Sequence, residues 1–195
     1  FVRQQHRLMR CQIRSNPNKM KSVTLIDLLR HGEPVGGRRY RGQIDDPLSE
    51  RGWQQMWRAV ESGGAAWTGI ITSPLSRCHA FATLLGEQHQ VPVTTDARLQ
   101  EVRFGGWEGL SPDELRRKDP GLLTRFYHDP VTNRPAGAES LESFRDRVSQ
   151  AFDDILRAHR GRHVLVVAHA GVIRAVLAHI LGTPLDAMYR ISVAT

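Results

Sequence analysis

Four short apolar runs punctuate the chain, at 23–29, 69–72, 91–94 and 163–168. They are mostly valine, isoleucine and leucine, bounded by polar or turn-forming residues, as buried strands are. Helical periodicity fills the intervals at 49–62, 75–88, 140–160 and 172–181. Trp53 and Trp57, four residues apart, are expected to share one helix face and pack in the core. Strands alternating with helices predict an α/β fold, a three-layer sandwich with a mostly parallel central sheet flanked by helices.

Local chemistry marks several boundaries. Ser111-Pro112-Asp113-Glu114 reads as a capping box with proline at the first helical position. Thr183-Pro184 is expected to open another short helix, and 133–137 reads as a loop. Residues 96–139 thus form an insertion of loops and short helices, the kind of segment that covers a site in α/β proteins. Residues 190–194 read as the start of a further strand, so the extreme C-terminus of the domain is expected beyond Thr195.

The formal charge of +7 over 195 residues looks at first like a nucleic-acid signal. Six of the basic groups, Arg3, Arg7, Arg10, Arg14, Lys19 and Lys21, lie within 1–21, where there is no acid. The remainder, 22–195, is close to neutral and is read as one folded domain that does not itself bind nucleic acid. Residues 1–21 are read as a basic, non-catalytic extension, with Met20, just ahead of the first strand, as the expected natural start. Nucleic-acid binding through that leader is the competing reading from another class. Cys11 and Cys78 sit in no metal or redox motif and fit a reducing, cytoplasmic setting. No apolar run approaches a membrane span.

The chemistry concentrates where strands end. In open α/β sheets ligands bind beyond the carboxyl ends of the strands. The first run hands over to Arg30-His31-Gly32, the second leads into Ser73-Pro74-Leu75-Ser76-Arg77, and the last ends in His169-Ala170-Gly171 where a helix begins. Parallel strands would gather two histidines, two arginines and a helix N-terminus in one crevice. Guanidinium forks and helix N-termini bind phosphoryl oxygens. A neutral imidazole is a competent nucleophile toward phosphorus. No nucleotide-binding glycine loop and no metal-ligand spacing is present, so neither cofactor nor metal is expected. Ester cleavage also needs a proton donor, for which Glu101 and Glu108 are both candidates.

These segments, with Leu99-Gln100-Glu101, resemble the histidine phosphatase (phosphoglycerate mutase-like) superfamily over about 22–195. The resemblance implies that His31 is the phosphorylated nucleophile and that Arg30, Arg77 and His169 form the phosphate pocket. It makes Glu101 the general acid, counts His169 with the catalytic set, and puts Arg41 and Gly42 near the substrate. The stretch Glu101–Gly109 resembles the phosphatase branches, whereas the mutase branch usually has a longer insertion. Gly36–Gly42 and Pro135–Ser140 are similar to α-ribazole phosphatases of cobalamin biosynthesis; Ala138 and Ala170 depart from the glycines common there. The expectation is a cofactor-independent phosphatase for a small-molecule phosphomonoester such as α-ribazole 5′-phosphate, with phosphoglycerate mutase as the alternative. It is expected to show a bell-shaped pH profile and, on base rates, to be a homodimer.

Overall fold

The protein is described here by a computed structural model covering residues 9–14, 23–61 and 66–193, with backbone alone for the first of these. Five strands form one sheet: β1 (Met9–Arg14), β2 (Val23–Arg30), β3 (Ile70–Thr72), β4 (Val93–Thr95) and β5 (His163–Ala168). Their order is β1-β2-β5-β3-β4. The last four are mutually parallel, and β1 adds antiparallel to the β2 edge, with Met9 opposite Leu28. The helices are α1 (Glu50–Glu61), α2 (Ser76–His89), α3 (Pro112–Lys118), α4 (Leu122–His128), α5 (Leu141–Ala158) and α6 (Ala170–Leu181). Among the described residues no helix is long and apolar enough to cross a membrane.

Strand periodicity sorts side chains into two cores. Ile26, Leu28, Ile71, Val164 and Val166 face one apolar cluster, shared with Phe144, Val148 and Phe152 of α5 and with Val172 and Val176 of α6. Leu29, Ile70, Leu165 and Val167 face the other, with Met56 of α1 and Phe81 and Leu85 of α2. Both faces of the sheet are covered, which is why its strands read as unbroken apolar runs. Trp53 and Trp57 are only half-buried; their rings lie 5.9 and 4.8 Å from Phe81, on the rim of the second core.

The insertion is held by its own aromatic cluster. Trp107, at 6% exposure, packs edge-on between Tyr40 at 5.2 Å and Phe126 at 5.0 Å. The capping box forms in full: Ser111 Oγ accepts from the Glu114 amide at 3.2 Å, and the Ser111 amide donates to Glu114 Oε2 at 2.8 Å. Such a cap contributes about 1 kcal/mol to a helix otherwise too short to stand alone.

Two segments differ from the sequence reading. Met9–Arg14 lies in the basic leader, where no element was expected; six residues make a strand there because the β2 edge supplies the hydrogen bonds. The rest of the leader and the expected start at Met20 lie outside the described residues. Residues 190–193 are not a strand. A 3₁₀ helix over Leu185–Arg190 follows Pro184, and the next carbonyls, of Ile191 and Val193, are taken by Arg174 and Arg30 rather than by a neighbouring strand.

Candidate active site

The strand register brings Arg30 opposite Ala168 and Thr72 opposite Val167, so the residues that follow emerge together at the carboxyl edge of the sheet. His31 and His169 meet there with ring centroids 5.1 Å apart. A chain leaving β2 must pass close under α1 at this point. A Cβ on Gly32 would lie 2.1 Å from the Gly52 carbonyl oxygen, so only glycine fits.

His31 is 8% exposed. Its Nδ1–H donates to the Gly32 carbonyl at 2.7 Å, and a carbonyl can only accept, so the tautomer leaves Nε2 with its lone pair. Burial lowers its pKa to about 3, with Arg77 adding most among the charges, Arg30 and Arg41 adding less, and the Gly32 bond opposing. The imidazole is therefore neutral without help from a base.

The cations differ in what they have free. Arg77 is 1% exposed; its two terminal nitrogens donate to Ile44 O at 2.7 Å and Gly42 O at 2.8 Å. Arg30 donates one terminal nitrogen to Val193 O at 3.0 Å. Both keep a buried Nε with no protein partner among the described residues. Burial presses on both guanidinium groups, yet arginine keeps its charge. Unpartnered buried donors of this kind cost stability unless an anion completes them. Arg41 is used differently: it bonds Asp46 at 2.8 Å and the carbonyls of Val35 and Gly37 at 2.7 Å each, pinning its own loop while lining the cavity with Gly42.

Glu101 stands at the start of α6. Its carboxylate accepts from the Gly171 amide at 3.2 Å and from Val102 N at 3.0 Å. A Cβ on Gly171 would meet Glu101 Oε1 at 2.2 Å, so the carboxylate sits where only a glycine leaves room. Glu108, the rival candidate, is spent on the loop: its Oε1 accepts from Phe104 N at 2.9 Å and does not line the cavity.

His169 is fully buried behind His31 and does not reach the cavity wall. Its Nε2 shares a hydrogen bond of 2.8 Å with Ser73 Oγ, and Cys78 Sγ lies 3.6 Å away. Burial first, then His31 and Arg77, push its pKa well below the usual value. Burial pushes the Cys78 thiol up, so it stays a thiol.

A cavity of about 650 Å³ opens onto His31, Arg30, Arg77 and Glu101. Sequence reasoning missed three arginines on its wall, Arg38, Arg39 and Arg174. The Arg38-Arg39 pair in a glycine turn was visible in the sequence; nothing there marked Arg174, one arginine in an apolar helix. It also missed Arg147 of α5, which reaches beneath the Glu101 segment. Arg147 donates to Arg98 O at 2.6 Å, Gln100 O at 2.8 Å and Glu101 O at 3.2 Å, and is clamped by Glu139 at 2.7 and 2.9 Å.

A neutral, tautomer-fixed histidine among buried arginines at the carboxyl edge of a parallel sheet marks an α/β domain whose site is chemically suited to an anion such as a phosphoryl group. Residues 26–195 match the histidine phosphatase superfamily (branch 1), and the chain belongs to that family. Among curated proteins it is 34% identical to a bifunctional protein of Mycobacterium tuberculosis; the match covers 86% of this chain but 47% of that protein, so the chain spans about half its length. A mycobacterial glucosyl-3-phosphoglycerate phosphatase complexed with VO₃ superposes with TM-score 0.76 at 31% identity, covering 85% of each chain. The α-ribazole phosphatase of Shigella flexneri superposes with TM-score 0.70 at 26% identity, covering 87% of this chain and 85% of its own.

Proposed function

We propose that this protein hydrolyses a small-molecule phosphomonoester through a phosphohistidine on His31. Nε2 of His31 attacks the phosphorus while Glu101 gives its proton to the departing alkoxide oxygen. Glu101 then takes a proton from water, which breaks the P–N bond, releases inorganic phosphate and restores the imidazole. Arg30 and Arg77 meet the equatorial oxygens with the Nε donors that have no partner among the described residues. His169 backs the His31 ring, and Ser73 sets its orientation. Arg41 and Gly42 contribute through the cavity wall they build.

The observation that carries this reading is the neutral His31 beside two buried guanidinium groups with donors to spare. Neutral imidazole and protonated carboxyl make opposing demands on pH, the ground for expecting a bell-shaped profile. Burial of His31 changes that expectation, because the imidazole stays neutral down to about pH 3 and so sets no acid limb near 6.5. Hydrolysis, rather than phosphoryl return to a second substrate, is supported by the compact insertion and by the two superposed relatives, both named as phosphatases. The α-ribazole relative supports α-ribazole 5′-phosphate as one substrate to test, which would place the protein in cobalamin biosynthesis in the cytoplasm.

The test is inorganic phosphate release from a panel of esters, including α-ribazole 5′-phosphate and 3-phosphoglycerate, by wild type and His31→Ala. The expected result is loss of at least about 10³-fold in kcat for the variant. Full turnover by His31→Ala, or isomer interconversion without phosphate release, would overturn the proposal.

A further inference from the structure

The cavity holds more positive charge than one phosphoryl group uses. Six arginines line it against two glutamates, Glu33 and Glu101. Two of these charges have partners outside the cavity wall: Arg41 pairs with Asp46 at 2.8 Å, and Glu33 with Arg51 at 3.6 Å. On the wall itself Arg30, Arg38, Arg39, Arg77 and Arg174 then face Glu101 alone, with Asp45 acting on Arg77 and Glu114 on Arg39 from outside it. A phosphoryl monoester brings about two negative charges, which leaves about two positive charges unmatched.

The surplus is local and mechanically fixed. Arg174 is half-buried on the first turns of α6; its Nε donates to Ile191 O at 2.9 Å and its guanidinium lies 5.6 Å over the Tyr189 ring. These contacts hold the group in place and leave its terminal nitrogens to the cavity. Arg38 and Arg39 follow Gly36 and Gly37, whose φ values of 86° and 74° turn the loop. The loop is tied down by buried Arg41 through Val35 O and Gly37 O, and Arg39 Nε donates to Gly36 O at 3.0 Å. Burial does most to lower the Arg30 pKa, Glu101 opposes it, and Arg174 and Arg38 add to the lowering, so these guanidinium groups lie close enough to repel one another. Ligand pockets are usually lined mainly by apolar groups with a few polar ones. A crowd of guanidinium groups repays its mutual repulsion when anions enter.

Taking the phosphatase reading as its basis, we infer that Arg38, Arg39 and Arg174 form a second anion subsite, and that the substrate is a phosphomonoester carrying a further carboxylate or phosphate on its alcohol portion. The phosphoryl group sits at His31, Arg30 and Arg77. The second anion sits beside it, on the Arg174 and Arg38 side of Arg30, against the Arg38-Arg39 loop and the first turns of α6. The subsite selects by charge and span rather than by apolar shape.

The test uses phosphonates, whose P–C bond survives the enzyme: butylphosphonate, 4-phosphonobutyrate and butane-1,4-diphosphonate, titrated calorimetrically into the full chain. At least one doubly anionic ligand is expected to bind about tenfold tighter than butylphosphonate, and the larger advantage identifies carboxylate or phosphate. The advantage is expected to shrink to about threefold or less in Arg38→Gln/Arg39→Gln and in Arg174→Gln. The loop variant is exposed, and circular dichroism checks the fold of both. Equal affinity for all three ligands in wild type, or an advantage unchanged in both variants, would overturn the subsite. Hydrolysis of p-nitrophenyl phosphate is scored in parallel. Selective phosphonate binding without hydrolysis defeats the phosphatase reading and leaves the subsite standing; hydrolysis without selectivity does the reverse.

Discussion

At the scale of single residues, protonation is decided by burial. A solvent-exposed histidine titrates near 6.5, whereas His31, largely buried and flanked by Arg77, is held at about 3. Its imidazole ¹⁵N and ¹³C resonances should therefore show the neutral form, protonated on Nδ1, with no titration between pH 5 and 8 in the ligand-free protein. A histidine that titrates near 6.5 would mean that the ring is wet and the nucleophile unprotected. The same burial is why His169 offers little to solvent: its ring is spent on orienting His31 and on Ser73 Oγ.

Between elements, the feature that matters is the hold of α5 on the Glu101 segment. That segment has no regular structure of its own after the 3₁₀ turn Ala97–Leu99, so its carbonyls would be free to drift. Arg147 takes two of them, Gln100 O and Glu101 O, together with Arg98 O inside the turn, and Glu139 locks the guanidinium from the other side. On the proposed mechanism Arg147 is thus a positioning residue for Glu101. Arg147→Met should lower kcat by about 10²-fold on alkyl phosphates, the size of loss that follows a misplacement of about 1 Å. On p-nitrophenyl phosphate, whose leaving group departs without a proton, the loss should be smaller. Equal losses on both esters would show a general structural defect instead.

For the whole molecule, the two buried histidines tie stability to pH. Folded His31 binds a proton only near pH 3, and the unfolded chain binds it near 6.5. The unfolded state therefore gains protons first as the pH drops, and stability falls from about 6.5 toward 3. The slope is about 1.4 kcal/mol per pH unit for one such group. His169 acts with the same sign. The lowered carboxylates, Asp96, Asp119, Asp129, Asp154 and Glu114, enter only around and below their usual 3.8 or, for the glutamate, 4.5, so the upper part of the window belongs to histidine. Urea unfolding at pH 7 and pH 5 should show the loss, and His31→Asn should reduce it; an unchanged slope in the variant would contradict the burial argument.

Much of this was determined locally in the chain. The apolar runs of β2, β3 and β5 lie in a sheet buried on both faces, so period and composition alone mark them. The turn chemistry of Ser111 to Glu114 is likewise a matter of neighbours. Arg30-His31-Gly32 and His169 were legible because they stand at the carboxyl ends of β2 and β5, and Arg77 because it lies in the first turn of α2 shortly after β3; parallel register brings those strand ends together. The rest depends on groups far apart in sequence. Met9–Arg14 becomes a strand only when the β2 edge is there to pair with it. Residues 190–193 stay irregular because Arg30 and Arg174 claim their carbonyls. Glu101 is separated from Glu108 by where α6 begins, and Arg147 finds its role only when α5 lies beneath a loop more than forty residues earlier. Hydrophobic period and turn propensity are short-range and survive in the sequence; desolvation, charge crowding and carbonyl competition arise only between segments that folding brings into contact.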